Sequence, residues 1–407
     1  MKHPRLRKTL KWGSLGLLAL VLILGISVWF LAGTEGGTEF LFTRLGAVIP
    51  GTLEVAEMKG PLRGPLDIRG LKYEREGFTA YVDRLHLEWR LRELLQRQID
   101  IQELHADGIR IVTTPSEEEK ERTPLPDINL RFNIIVRDAK VRNLSFASAK
   151  PEPGEKPFVI DSIDLETTAI QNNVRVDRLA VRSATLNADV DGTVRPQGEY
   201  PVDLNVHWSL RLPDMAKMGG RGKLSGTLEN LQVDQTLNAP FPLQAKALLQ
   251  DPLYDMRFDG RVRFSDANPR LIRADLPEIP ASGEVALKGS INDFTGIGTV
   301  EATLEQIGPV SADFQVTRDD LVWIVDRAAI ALTGTPTRLT AEGRIDTEEE
   351  TPSFQGVAGW ENLRWPLREG EPVMVSRRGT ARIDGNAERY NARVKADLAG
   401  LAGGKVP

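Results

Sequence analysis

Side chains able to do chemistry are few in this chain and poorly grouped for it. Cysteine is absent from all 407 residues, which removes disulfides, thiolate metal sites and cysteine nucleophiles. Of the four histidines, His3 stands in a basic N-terminal tail, while His86, His105 and His207 fall at polar positions of alternating segments. None has a second histidine or a carboxylate at metal-ligand spacing, so all read as surface residues. Neither G-x-S-x-G nor H-E-x-x-H occurs. Gly219-Gly220-Arg221-Gly222-Lys223 has the composition of a phosphate loop, but Leu224 stands where a metal-holding Ser or Thr belongs. That segment opens an alternating stretch, so a tight turn is expected there. The Glu117–Lys120 run reads as a solvated loop, and no pattern pairs two carboxylates for acid–base work. No catalytic, cofactor-binding or metal residue is identified: the chain reads as a non-enzyme without a cofactor.

The elements around these residues say more. Residues 10–32 are almost wholly apolar (LKWGSLGLLALVLILGISVWFLA), and at about 1.5 Å per residue they reach roughly 34 Å, enough for a bilayer core of about 30 Å. Lys2, Arg5, Arg7, Lys8 and Lys11 stand at its head with no acidic residue, which keeps the N-terminus cytoplasmic and sends the rest across the membrane. Trp12, Leu17, Leu20, Leu22, Ile26 and Trp29 mark the expected anchor, the two tryptophans near its ends. A cleaved signal peptide fits less well, because the stretch is longer than a secretory core and Leu31-Ala32-Gly33 is a poor cleavage site. The chain holds 52 basic and 57 acidic residues; without the five basic ones at the anchor the count is 47 against 57, a net −10. Such a body is not built for nucleic acid or anionic lipid, and its partners should be neutral, apolar or basic. Absence of cysteine suits an oxidising compartment such as a bacterial periplasm.

Beyond the anchor the pattern is β. Val202, Leu204, Val206, Trp208, Leu210 and Leu212 alternate with Asp203, Asn205, His207, Ser209 and Arg211, which places one face on apolar material and one in water. Leu85, Leu87, Trp89 and Leu91 repeat the habit, as do Val300, Ala302, Leu304 and Val310, Ala312, Phe314, Val316. Helical periodicity is scarce, with one or two turns expected near residues 92–98 and 213–219. Asp191-Gly192, Asp259-Gly260 and Asp384-Gly385, with Lys288-Gly289 and Glu342-Gly343, read as hairpin signals. The expected organisation is a cytoplasmic tail (1–9), a transmembrane signal-anchor helix (10–32), a first β unit (33–113), a charged loop (114–126) and repeated β-hairpins (127–407) that continue past the last residue. The fold class is mainly β: an elongated, curved antiparallel sheet with one or two short helices.

Two readings compete for the apolar stripe. It is either the core of an ordinary sandwich, which the pattern alone favours, or the inner face of an open trough. A trough needs a ligand, since a large contiguous apolar surface in water marks a binding site.

The anchor, the pattern in Gly60–Ile68 and the segment VDRLHLEWRLRELLQRQIDIQELHADGIRIV (82–112) resemble the start of AsmA-like proteins. GWENLRWPL (359–367) is similar to the W-x-N-L-R-W-P-L motif of the TamB family, the inner-membrane subunits of the translocation and assembly module. The resemblance implies a β-taco whose apolar groove bridges the periplasm from an inner-membrane anchor. It also implies a C-terminal region, with no equivalent here, that engages a TamA-like outer-membrane barrel. The implied activities are phospholipid transport between the membranes and support of outer-membrane protein and autotransporter assembly. On this resemblance the trough outweighs the sandwich. About twenty strands at about 4.8 Å each would make a track on the order of 100 Å. Leu85, Leu87, Trp89, Val202, Leu204, Val206, Trp208 and Leu210 are the expected lining, in contact with phospholipid acyl chains. The alternatives are an assembly chaperone that holds β segments by strand addition, and a structural tether.

Overall fold

The computed structural model describes residues 33–46, 50–114, 125–151, 156–305, 307–348, 351–367, 372–386 and 388–400. The expected anchor, with Trp12, Leu17, Leu20, Leu22, Ile26 and Trp29, lies outside them, as do most of the charged loop 114–126 and residues 401–407. Among the described residues no helix is long and apolar enough to cross a membrane.

The chain is mainly β, in two compact units, Met1–Gln197 and Gly198–Pro407. The first unit opens with helix α1 (Glu35–Gly46), which the sequence conceals because Gly36 and Gly37 blur its period. Thr34 caps it, its Oγ1 accepting the Gly37 amide at 3.2 Å. Glu35 Oε1 accepts the Gly60 amide (3.1 Å), and the fully buried Thr38 accepts the Leu62 amide (2.9 Å), pinning α1 to the turn that follows the first strand.

Eight strands follow: β1 (Thr52–Lys59), β2 (Leu66–Arg75), β3 (Phe78–Trp89), β4 (Gln98–Thr113), β5 (Asn133–Ser148), β6 (Phe158–Ile170), β7 (Asn173–Arg182) and β8 (Leu186–Val194). A short 3-10 helix, Leu91–Gln96, separates β3 from β4, as expected. Each strand pairs with its successor, antiparallel except for β4–β5, which is parallel and corrects the purely antiparallel expectation. A parallel pair requires the chain to return to the starting end of β4, which a hairpin cannot do. The return strand is tied along that end: Ile128 N–H donates to Pro196 O (3.0 Å), Leu130 N–H to Asn172 Oδ1 (2.6 Å) and Asn133 N–H to Arg97 O (2.9 Å). Asp100, only 1% exposed, locks the pair. It accepts both Arg137 Nε (3.1 Å) and Nη2 (3.3 Å) from β5 and Gln102 Nε2 (2.6 Å) from its own strand.

The second unit continues with β9 (Pro201–Leu210), β10 (Met218–Thr227), β11 (Asn230–Ala239), β12 (Leu243–Gln250), β13 (Arg257–Ala267), β14 (Ala281–Ser290), β15 (Asp293–Leu304), β16 (Gly308–Asp319), β17 (Val322–Leu332), β18 (Arg338–Asp346), β19 (Ser353–Trp365), β20 (Met374–Asn386) and β21 (Tyr390–Gly400). All are antiparallel neighbours in chain order, an unclosed meander interrupted by one four-residue helix, α2 (Pro269–Ile272).

The Asp-Gly pairs are not hairpin turns. Asp191-Gly192, Asp259-Gly260 and Asp384-Gly385 lie inside β8, β13 and β20, and Gly289 and Gly343 inside β14 and β18. Glycine serves there for close approach: a Cβ on Gly260 would sit 2.7 Å from the Ala247 Cβ on the neighbouring strand. The chain reverses instead at residues such as Gln171-Asn172 (φ 46° and 65°) and Asp320 (φ 51°).

Replacing Asp100 with alanine should cost about 2 kcal/mol, since Arg137 loses its buried partner but keeps access to water. Denaturant melts of the full chain, with hydrogen exchange at the β4–β5 amides, read this loss.

Candidate functional site: an uncovered apolar face

Residues that face each other across a ladder share one side of the sheet, so the registers show which side chains line up. In the first unit Met58, Ile68, Leu85, Ala106, Val141, Ile163, Val181 and Ala188 form one unbroken file across all eight strands. Leu66, Leu87, Leu104, Ala139, Leu165, Leu179 and Val190 form a second beside it.

In the second unit the pattern runs through all thirteen strands. One file is Trp208, Gly220, Leu237, Leu243, Phe264, Gly283, Val300, Ala312, Ile330, Leu339, Trp360, Gly379 and Ala396. A neighbouring file begins at Leu204, and between the two lies one that begins at Val206 and contains a single polar residue, Gln235. A fourth begins at Val202. The parity survives the irregularities because bulges insert a single residue. Asp326 has no partner between Val325 and Arg327, so Val325 and Ala328 both face the apolar side.

Among the described residues of the second unit, none forms a second layer over this face. The apolar side chains described as buried there are Tyr200, Val202, Val310 and Leu332; most of the others are half-buried. A sandwich of thirteen strands would bury its inner face almost completely. The sandwich reading therefore fails for this unit, and the face is a wide, open apolar surface.

Large and small residues are matched along the files. Trp360 lies over Gly379, where a Cβ would collide with the indole, and its Nε1 donates to Ser376 Oγ at 2.8 Å. The opposite face is ionic, with cross-strand pairs such as Lys223–Asp203 (2.9 Å), Lys246–Asp234 (3.0 Å) and Lys288–Asp259 (3.1 Å). Such exposed pairs contribute little stability but keep that face in water. Hydrogen bonding from Lys140, with a smaller part from His105, holds the Asp138 carboxyl below its ordinary range. Arg263 does the same for Glu284.

Six of the expected lining residues fall on these files, each set within its own unit, while Trp89 and Leu210 lie outside them. Leu85 and Leu87 sit in the two files of the first unit, and Trp89 donates its indole N–H to Leu62 O at 2.5 Å. Val202, Leu204, Val206 and Trp208 head the four files of the second unit, and Leu210 pairs with Met218 at the margin. Pattern reading found the alternation of β9, β15 and β16 in that sheet, but not the files that join the strands or the glycines within them, which carry no hydrophobic signal. It also missed a cross-strand grouping: His86, Glu88 and Glu103 place one ligand-capable atom each within 4.8 Å of one another on the solvated side. Glu88 and Glu103 meet only through the β3–β4 register, which no sequence spacing announces.

An unclosed β ladder with an apolar face and an ionic face in each unit, the apolar one open in the second, defines a β-groove protein. The family description TamB, N-terminal domain, matches residues 23–152 and 123–320, and the chain belongs to the TamB family through this N-terminal part. No solved structure matches it.

Two outcomes follow from the packing. Gly379→Leu should displace Trp360 and destabilise the second unit by about 1–3 kcal/mol, visible in the thermal midpoint and in tryptophan fluorescence. The depressed Asp138 pKa stabilises the fold above the ordinary carboxylate pKa, and that contribution disappears as pH falls through the lowered folded value. The stability gap between wild type and Lys140→Met should therefore be open at neutral pH and close in acid, as paired denaturant melts across pH would show.

Proposed function

We propose that the protein is an inner-membrane-anchored periplasmic bridge whose apolar face carries phospholipid acyl chains between the inner and outer membranes, in support of outer-membrane protein assembly. The observation that carries this reading is the set of unbroken apolar files on a face that no second layer covers. Left in water, such a surface is costly; acyl chains laid along it remove both surfaces from water, at about 0.8 kcal/mol per methylene. Thirteen strands at about 4.8 Å offer a track of about 60 Å in the second unit. Because each file repeats nearly equivalent apolar sites from strand to strand, a lipid can shift along it without a deep trap and without bond chemistry.

Residues 10–32 supply the anchor in this scheme, with residues 1–9 in the cytoplasm and the body in the periplasm. The outer-membrane partner in this scheme is a TamA-like barrel. The family match is what connects a lipid-sized groove to envelope assembly.

Photo-crosslinking in cells tests the reading. Probes at Val206 and Leu87 on the apolar side should yield phospholipid adducts by mass spectrometry, while probes at Asn205 and His86 on the other side should not. Absence of lipid at all four positions would reject the groove in favour of strand-holding assembly or tethering.

A further inference from the structure

The two margins of the second unit's apolar face differ. On one side the file Ala267, Ala281, Ala302, Val310 and Leu332 is aliphatic. On the other, the file that begins at Val202 runs through Phe258, Phe294, Arg318, Trp323, Phe354 and Tyr390. Arg318 is the one charged residue in the four files of the face. Its guanidinium lies 5.5 Å from the Trp323 ring centroid, and Trp323 meets Phe294 edge-on at 5.9 Å. Phe258 lies tilted against Phe294, their ring centroids 6.1 Å apart.

Arg318 is aimed by backbone. Its Nε donates to Asp320 O (2.8 Å) and its Nη1 to Ile291 O (3.2 Å), the carbonyls of two adjacent turns. Among the described residues no carboxylate forms an ion pair with it. A half-buried guanidinium held by two carbonyls, stacked on an indole and bordered by the exposed Ile291, Leu321 and Ile345, retains full charge and spare donors at an apolar margin. That combination of aromatic ring and cation is the chemistry of the boundary between acyl chains and phosphate.

We propose that this aromatic margin is a headgroup rail and that Arg318 takes the phosphodiester of a phospholipid whose acyl chains lie on the apolar face. The inference rests on the reading of that face as an acyl groove.

The test uses the full chain in its membrane, with a diazirine probe at Leu321, in the turn beside Arg318, and a second at Val206. In wild type Leu321 should capture phospholipid. Arg318→Gln should lower the Leu321 adduct about tenfold while the Val206 adduct persists, as loss of one charge-assisted contact implies. An unchanged Leu321 adduct in Arg318→Gln, with Val206 still labelled, would overturn the rail. If the glutamine variant loses both adducts, Arg318→Lys decides: retention at Leu321 supports a phosphate contact, and loss overturns it. Displacement of the Leu321 adduct by excess inorganic phosphate on the purified chain would reassign the site to free anion and also overturn it. Failure of Val206 to label in wild type rejects the groove itself, a result distinct from failure of the rail alone.

Discussion

Everything in this structure depends on the constraint that cross-strand neighbours share a face. A slip of one residue anywhere in the ladder would turn each later apolar residue into water and each ionic one inward. The chain keeps parity across thirteen strands in its second unit, and where the sheet must coil it inserts single bulge residues, such as Asp326, rather than shifting the pairing. The apolar face is thus a collective property of register. No individual leucine makes it.

A face left uncovered has a consequence for stability. With few side chains fully buried, the ladder leans on its backbone hydrogen bonds and on shape matching within the face, where glycine beneath Trp360 lets the indole lie close to the sheet. In the first unit a small true core forms around Leu66 and Ile68, and α1 and the Asp100–Arg137 clamp fasten the strands there. A sheet with one dry-seeking face is stable in water chiefly when something apolar lies against it, so the fold favours an apolar ligand or partner on that face.

The ionic face does the complementary work. Its acidic and basic side chains alternate across strands, so the net acidity noted in the sequence is spread over many short pairs rather than gathered into one patch. At the aromatic margin Arg318 stands on the apolar face, held by the carbonyls of Asp320 and Ile291.

Much of the class was legible in the sequence. Strict alternation in residues 202–212 determined β structure and a two-faced sheet, because a period of two has no other stable reading. Only the tertiary structure decided which strands lie beside which, and so it alone revealed the glycines as members of apolar files, the parallel β4–β5 pair and the place of Arg318 among aromatics. Asp-Gly pairs misled because a local turn propensity is weak against ladder hydrogen bonds on both sides. Whether an alternating stripe is sealed or open depends on a second layer. A strand's own residues carry no record of what does or does not pack over them.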